Sequence, residues 1–303
     1  MIERSMLYVP ASKPAMIEKA ARSLADAVCI DLEDAVAVEE KPAARANVVR
    51  AFREIDFGGR ARMFRMNGLD THFAYRDLVE VVEGAGDRVD LIILPKAGSP
   101  DDVRFVDRLL TQIEAGRGIQ RPIGVEVLIE SASGFLSARE IAQASPRIQA
   151  IIFGPGDYSA SMRMPMAAIG ELDENDDLYP GHRWHAVMHT IVAAGRASGL
   201  RCIDGVYAGY KEKDMAGFER SCRIARAMGF DGKQCIHPSQ LPVANAIFAP
   251  SRDEVENAQR IVRAAQSGAA ASLDGKMIDA ANLRMSRVVL EQSEQIREKE
   301  NER

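Results

Sequence analysis

The stretches IGVEVLIE (123–130) and IQAIIFGPGD (148–157) decide the fold class. Each is an apolar run of the length of a β-strand, and each ends in a carboxylate. Between them lies a helical pattern, with apolar residues at three- and four-residue spacing over 134–144. Two parallel strands need a long crossover of this kind. The pair therefore predicts a β-strand, an α-helix and a second, parallel β-strand.

The same unit recurs along the chain on both sides of this pair. The other apolar runs are SMLYVP (5–10), AVCIDLED (27–34), RMFRMN (62–67), VDLIILPK (89–96), LRCIDGVY (200–207) and FDGKQCIH (230–237). Eight such units predict an α/β fold, a (β/α)8 TIM barrel. In that fold the active site lies at the carboxyl ends of the strands, where this chain repeatedly places polar residues.

Two segments exceed what eight barrel units require. Residues 158–182 form a long connection after the sixth run, which is typical of a lid or a binding loop. The barrel is expected to occupy residues 1–250, followed by a C-terminal helical extension over 251–303. This extension could cap the barrel, wrap a neighbouring subunit, or carry a catalytic residue into a neighbour's site.

The bulk composition excludes several classes of partner. A net charge of −5 over 303 residues argues against nucleic acid or a membrane surface as the main partner. No apolar stretch reaches about 18 residues, and no signal-peptide pattern is evident, so we expect a cytoplasmic protein without a membrane span. The four cysteines have no CxxC spacing and are expected to be buried apolar residues.

Glu130 and Asp157 are the candidate metal ligands. They follow neighbouring strands, which lie about 4.8 Å apart, so both carboxylates can reach one cation. Two carboxylates with water and substrate oxygens are the usual ligands of Mg²⁺. The alternative is that each carboxylate caps the helix that follows it.

Arg65 ends the third run and can bind a carboxylate or a developing oxyanion through its fork of N–H groups. A structural ion pair with Asp31 or Glu33 is the alternative. The acidic run that contains these residues and Asp34 could order waters around a metal or hold Arg65. Lys96 is either a Schiff-base lysine or a charge for an anionic substrate, and the second reading is favoured.

The whole set resembles the citrate lyase β-subunit, malyl-CoA lyase and citramalyl-CoA lyase family of metal-dependent aldolases. The matching segments are RSMLYVPASKPAMIEKA (4–20), DAVCIDLEDAV (26–36), KPAAR (41–45), FRMN (64–67), LPKAGSPDDV (94–103), EVLIESASG (126–134), FGPGDYSASM (153–162), IDGVY (203–207), GFDGKQCIHPSQ (229–240) and DGKMID (274–279). They follow the family order over nearly the whole chain.

The resemblance implies a barrel in which Glu130 and Asp157 hold Mg²⁺, with Mn²⁺ as an alternative. It implies that Arg65 binds the oxo-acid or hydroxy-acid part of the substrate. Glu33 and Asp34 are then candidate catalytic residues that do not bind the metal themselves but contact the groups around it.

The resemblance also implies a CoA site, with Arg4, Lys13 and Lys233 as candidate phosphate contacts. It implies that the C-terminal segment is swapped onto a neighbouring subunit, where Asp279 completes the active site of a homotrimer or homohexamer. The segment LYPGHRW (178–184) favours a free CoA thioester over an acyl-carrier-protein thioester.

The function expected from this resemblance is a Mg²⁺-dependent carbon–carbon lyase that cleaves a 3-hydroxyacyl-CoA, such as malyl-CoA or citramalyl-CoA, into an acyl-CoA and an α-oxo acid, or catalyses the reverse. Three alternatives stay open. They are a class II 2-oxo-acid aldolase that needs no thioester, a malyl-CoA thioesterase, and a non-catalytic CoA-binding subunit.

Overall fold

A computed structural model describes residues 1–178, 181–265, 272–273 and 276–301. Eight strands form a closed barrel in which every strand is parallel to both neighbours and follows chain order. The (β/α)8 barrel expected from the sequence is therefore confirmed. The strands are β1 (Ser5–Pro10), β2 (Ala27–Asp31), β3 (Ala61–Arg65), β4 (Leu91–Leu94), β5 (Gly124–Ile129), β6 (Ile148–Phe153), β7 (Arg201–Asp204) and β8 (Gly232–Cys235).

Helices connect the strands and bury the outer face of the barrel. They are α1 (Pro14–Ala20), α2 (Lys41–Glu54), α3 (Ala74–Ala85), α4 (Pro100–Arg117), α5 (Ala132–Leu136), α6 (Ala138–Ala142), α7 (Pro155–Ser161), α8 (Glu174–Asp177), α9 (His185–Ala197), α10 (Met215–Met228), α11 (Leu241–Ile247), α12 (Arg252–Ala265) and α13 (Ala280–Asn301). None of these helices is long and apolar enough to cross a membrane.

The helix predicted over 134–144 is in fact two helices, α5 and α6, which meet at Ser137. The backbone of Ser137 lies near φ −105° and ψ 9°, outside regular helix geometry. The long connection after β6 contains α7 and the short helix α8. Two residues of its LYPGHRW segment, Tyr179 and Pro180, lie outside the described residues.

The barrel interior is filled by side chains at alternating strand positions. Cys29 on β2 and Met63 on β3 belong to a fully buried cluster inside the barrel. Since side chains alternate along a strand, Asp31 and Arg65 face the same interior one layer closer to the carboxyl ends. All four cysteines are free and buried, as expected from the sequence.

Arg4 lies at the amino end of β1, opposite the rim formed by the carboxyl ends of the strands. Its guanidinium bonds to Asp26 at 2.9 Å and to Glu300 of α13 at 3.0 Å, and Arg4 is only 3% exposed. The last turn of α13 is therefore attached to the amino end of the barrel.

Helices α12 and α13 form an antiparallel hairpin that packs chiefly on itself. Its tip carries two short antiparallel strands, β9 (Ser272–Leu273) and β10 (Lys276–Met277). Residues 266–271 and 274–275 lie outside the described residues. Three apolar side chains near the tip are well exposed: Met277, Met285 and Val288.

Candidate active site

Glu130 lies directly after β5 and is 4% exposed. Its Oε1 accepts a hydrogen bond of 2.8 Å from the backbone N–H of Lys96. Gly154, which follows β6, lies against the side chain. A Cβ at position 154 would come within 2.5 Å of both Cβ and Oε2 of Glu130. The glycine therefore makes room for this carboxylate.

Asp157 lies in the first turn of α7 and is exposed at the same rim. The pKa of Glu130 is raised well above its usual range, first by burial and then by the negative charges of Glu33 and Asp157. Arg65 opposes this rise. The structure thus brings Glu130, Asp157, Glu33 and Arg65 close enough to act on one another.

The donor set fits a hard divalent cation. Among the described residues, no three His, Cys, Asp or Glu side chains converge at metal-binding distance. Glu130 and Asp157 could supply two carboxylate ligands from neighbouring positions at the rim, with the other positions filled by water and substrate oxygens. This is the usual coordination of Mg²⁺ in proteins. A cation would also relieve the repulsion that raises the pKa of Glu130.

An open cavity of about 560 Å³ adjoins the two carboxylates. Its walls include Lys96, Ser131 and Ser161 as well as Glu130 and Asp157. The cavity opens at the carboxyl ends of β4, β5 and β6, which is where TIM barrels bind their substrates.

Arg65, the last residue of β3, is held by Asp31 through two parallel hydrogen bonds. Nε donates to Oδ1 at 2.7 Å, and an Nη atom donates to Oδ2 at 2.6 Å. Burial alone would raise the pKa of Asp31, but the Arg65 charge and hydrogen bonds outweigh it and lower the pKa. The guanidinium also lies 5.2 Å from the centre of the Tyr8 ring. The ion pair that the sequence left as an alternative is therefore present.

Glu33 is the link between Arg65 and Lys96. Its Oε2 lies 2.7 Å from an Arg65 Nη atom, and its Oε1 accepts a hydrogen bond of 2.7 Å from Lys96 Nζ. Burial raises the pKa of Glu33, although both cations oppose the rise. Asp34 is more remote, because its carboxylate lies 3.6 Å from Arg65 and is 59% exposed.

Lys96 contributes through its backbone and its side chain. Its φ of 52° lies in the left-handed region, and this conformation accompanies the hydrogen bond from its N–H to Glu130. Its ammonium group is paired with Glu33, which raises the pKa of Lys96 despite partial burial. A lysine with a raised pKa stays protonated and is a poor Schiff-base nucleophile, so the charge reading is favoured.

Lys41 is a buried residue beside the candidate site that the sequence argument did not single out. Its Nζ donates to the carbonyls of Leu32 and Glu33, both at 2.8 Å, and to Asn67 Oδ1 at 2.6 Å. Asn67 in turn donates to Asp77. These bonds fix the backbone that carries the acidic run. Lys41 opens the matching KPAAR segment, but nothing in the sequence reveals that its side chain meets Asn67, 26 residues away, as well as the Leu32 and Glu33 carbonyls.

The three candidate CoA contacts lie in different places. Lys13 is exposed in the loop after β1, at the rim. Arg4 is buried at the opposite end of the barrel with Asp26, so it cannot reach a phosphate at the rim. Lys233 is 2% exposed and paired with Asp204 in an internal cavity, so it is also unavailable to an outer phosphate. The expectations for Arg4 and Lys233 are therefore corrected.

Asp279 lies outside this group, at the start of α13. It is exposed, and its Oδ1 accepts a hydrogen bond of 2.8 Å from the backbone N–H of Asn282 in the same helix. Among the described residues, its hydrogen bonds are all to its own helix.

Residues 4–238 match the model of the family described as HpcH/HpaI aldolase/citrate lyase. The chain belongs to this family. An L-malyl-CoA/beta-methylmalyl-CoA lyase of Cereibacter sphaeroides is 40% identical over 97% of this chain and 95% of its own length. A (3S)-malyl-CoA thioesterase of the same species is 35% identical over 97% and 95%.

Among solved structures, the fold of this family member resembles CitE from Mycobacterium tuberculosis. The match has a TM-score of 0.75 at 30% identity and covers 96% of this chain and 97% of CitE. That crystal structure contains magnesium, acetoacetate and coenzyme A.

Proposed function

We propose that this chain is a Mg²⁺-dependent carbon–carbon lyase acting on a 3-hydroxyacyl-CoA thioester such as malyl-CoA or citramalyl-CoA. The products are an acyl-CoA and an α-oxo acid, and the reverse condensation uses the same groups. The main support is the grouping of Glu130, Asp157 and Arg65 at one rim. The similarity to a malyl-CoA lyase over nearly the whole chain supports the substrate class.

Glu130 and Asp157 would hold the ion, Mg²⁺ or Mn²⁺. When bound, the ion supplies Lewis-acid polarisation of the substrate's carboxylate and hydroxyl oxygens. Glu130 is the buried and pre-positioned ligand, because Gly154 and the Lys96 N–H fix its carboxylate. Asp157 is exposed and lines the open cavity at the rim, where a substrate would enter.

Arg65 would stabilise the negative charge that moves between substrate oxygens as the C–C bond breaks. Asp31 accepts hydrogen bonds from two N–H groups of Arg65 as a bidentate pair, which orients the remaining donors of Arg65. Glu33 and Asp34 would act by holding Arg65 and Lys96 in position. The side chain that contacts substrate directly is thus rigid before binding, which reduces the cost of ordering it.

Asp279 of a neighbouring copy would supply the proton. Cleavage passes the proton of the substrate hydroxyl to water in the open cavity and leaves an acyl-CoA enolate, whose carbon must take up one proton. In the condensation direction the same carboxylate would remove that carbon-bound proton. The position of Asp279 on a hairpin with exposed apolar side chains supports its docking on another subunit of a homotrimer or homohexamer. Lys13 remains the candidate contact for a CoA phosphate.

The test is product analysis with malyl-CoA, methylmalyl-CoA and citramalyl-CoA, each with Mg²⁺ and with EDTA. We expect equal amounts of oxo acid and acyl-CoA, formed only with the metal present. Cleavage of free 4-hydroxy-2-oxo acids instead would indicate a plain aldolase. CoA binding without any turnover would indicate a non-catalytic subunit.

A thioesterase is the second candidate, because a relative with that name is 35% identical. Hydrolysis of the thioester releases free CoA thiol and malate, whereas C–C cleavage releases glyoxylate and no thiol. Titration of thiol in the same reactions therefore distinguishes the two activities. Thiol release in step with malate would overturn the lyase proposal.

A further inference from the structure

Lys41, the first residue of α2, contacts the backbone of the acidic run and is 6% exposed. Three oxygen atoms converge on its ammonium group: the carbonyl oxygens of Leu32 and Glu33, both at 2.8 Å, and Asn67 Oδ1 at 2.6 Å. An ammonium group has three N–H donors, whereas a side-chain amide has two and a guanidinium holds its five in one plane. A lysine therefore matches these three acceptors better than any other polar residue.

The charge of Lys41 is costly to bury. Its three donors are all used on neutral oxygen atoms. Burial lowers the pKa of Lys41, although the negative charges of Asp77 and of the acidic run oppose this fall. The desolvation of a buried cation offsets what its contacts contribute, so the group is a weak source of stability. What Lys41 does supply is a fixed position for the backbone of the acidic run.

Lys41 and Asn67 together join the loop after β2 to the loop after β3. Asn67 Nδ2 donates to the Leu32 carbonyl at 3.0 Å, and Lys41 bonds to the same oxygen. The backbone N–H of Leu32 donates to the carbonyl of Arg65 at 3.0 Å. Asp77 of α3 accepts from the side chain and from the backbone N–H of Asn67, at 2.6 and 2.8 Å. The acidic run is thus fixed relative to the strand end that carries Arg65.

The position of Glu33 in turn determines where two cations lie at the rim. Its Oε2 lies 2.7 Å from an Nη atom of Arg65, and its Oε1 accepts a hydrogen bond of 2.7 Å from Lys96 Nζ. The backbone N–H of Lys96 donates to Glu130. The side chain of Glu33 extends from the backbone that Lys41 holds. A shift of this backbone would therefore move one carboxylate and both of its cationic partners.

We propose that Lys41 is a positioning residue for the reaction at the rim and that it acts through Glu33. Its three hydrogen bonds set the backbone from which Glu33 extends, and Glu33 sets the separation of Arg65 and Lys96. Because its donors are all used, Lys41 does not contact the substrate itself. The inference rests on the proposed lyase function, in which Arg65 must lie against the charge that moves during cleavage.

Hydrogen exchange of the full-length protein tests the positioning step without a substrate. The backbone N–H groups of Glu33 and Ala35 donate to Asp31 at 2.9 and 3.1 Å, within the turn that Lys41 holds. In Lys41→Met we expect both amides to exchange at least about tenfold faster, with the amides of β5 unchanged. Arg50→Met is the control, because Arg50 is an exposed residue of the same helix. Unchanged exchange in Lys41→Met would overturn the proposal.

A double-mutant cycle tests whether Lys41 acts through Glu33. Lys41→Met and Glu33→Gln should each lower kcat/KM by about 10- to 100-fold, as is usual for residues that orient the groups of a metal site. If one residue acts through the other, the double variant should keep the activity of the less active single variant within about twofold. A general loss of folded protein would instead multiply the two losses. Multiplied losses would therefore reduce Lys41 to a structural residue.

The matched cycle combines Arg50→Met with Glu33→Gln, and this double variant should have the activity of Glu33→Gln alone. If Lys41→Met does not fold, Lys41→Gln replaces it in both experiments, because the amide keeps two N–H donors for the three oxygens. The exchange measurement does not depend on turnover. A chain that cleaves no thioester would overturn the proposed function, whereas unchanged exchange would overturn only the role of Lys41.

Discussion

The contacts of Arg65 give it two roles at once. Its fork binds Asp31 with two hydrogen bonds, and the other side of the group faces Glu33 and the rim. A single residue thus connects β2 and β3 and places a cation at the rim. Lysine carries the same charge without the planar fork.

Arg65→Lys is expected to lower kcat/KM by at least about 100-fold, because one ammonium cannot serve Asp31 and a substrate oxyanion together. The measurement is steady-state kinetics with the thioester that the product analysis identifies. Arg62→Lys is the matched control, since Arg62 lies on the same strand and bonds to Asp90 away from the rim. It should keep kcat/KM within about twofold. Full activity in Arg65→Lys would reduce Arg65 to a structural ion pair.

Gly154 tests the metal site without removing a ligand. Its φ of −111° is open to any residue, so Gly154→Ala strains no backbone, but the new methyl group would collide with Glu130. We expect the Mg²⁺ concentration for half-maximal activity to rise at least about tenfold. In Gly156→Ala the nearest contact is an ordinary 3.4 Å to Ile169, so Mg²⁺ activation should be unchanged. Equal Mg²⁺ dependence of the two variants would contradict the assignment of Glu130.

At the scale of the elements, the amino end of the barrel holds a cluster of buried charges. Arg201 at the start of β7 bonds to Glu3 at 3.0 Å and to Glu126 of β5 at 2.7 Å. One cation thus faces two carboxylates. Burial, followed by the charge of Glu3, raises the pKa of Glu126 well above its usual range. The cluster therefore holds β5 and β7 together most strongly when the Glu126 carboxyl group is protonated.

A raised pKa in the folded state means that protonation favours folding. The contribution of Glu126 is complete below its unfolded pKa of about 4.3 and is lost as pH rises through the folded value. Replacing Glu126 by Gln keeps the neutral form at every pH. The free energy of unfolding of this variant, measured by urea titration, should therefore fall less between pH 5 and pH 8 than that of the wild type.

Glu83→Gln is the control for this pH dependence, since Glu83 is an exposed residue of α3. It should retain the wild-type difference between the two pH values. If Glu126→Gln also retained that difference, Glu126 would not be the group that titrates. The measurement needs no substrate and is independent of the proposed activity.

At the scale of the whole molecule, the barrel and the α12–α13 hairpin have different surfaces. The barrel is closed, and its buried apolar residues form two clusters, one inside the barrel and one between the strands and the surrounding helices. The hairpin exposes 77% of Met277, 68% of Met285 and 62% of Val288. Apolar side chains grouped in this way usually mark an interface, and Asp279 lies among them.

Mixing of inactive variants tests whether Asp279 acts on a neighbouring copy. Glu130→Gln and Asp279→Asn should each be inactive alone. Co-expressed in equal amounts, they should recover about a quarter of wild-type activity, because in a head-to-tail ring one site in four pairs an intact barrel with an intact Asp279.

Co-expression of Glu130→Gln with Arg65→Gln is the control. Both defects then lie in the barrel, so no combination restores a complete site and activity should stay at background. Absence of recovery in the first mixture would mean that each Asp279 serves its own barrel. The comparison uses intact chains throughout.

Sequence alone determined the barrel and named the candidate residues of its site. Strand periodicity and connection length predicted eight parallel units, and the ends of β3 and β5 and the turn after β6 gave Arg65, Glu130 and Asp157. The barrel prediction is confirmed, because strand alternation and parallel order are local rules. The same rules place these three side chains at one rim, and their roles there stay proposals.

Only the tertiary structure decided where the isolated charges lie. In the sequence, three basic residues near strand ends have equivalent positions: Arg4, Lys13 and Lys233. In the structure, Arg4 pairs with Asp26 and Lys233 pairs with Asp204. The hydrogen bond of Lys41 to Asn67 and the room that Gly154 leaves for Glu130 likewise join residues of different elements. Such partners are set by packing between elements, because a sequence position fixes a side chain's chemistry but not the distant group it meets.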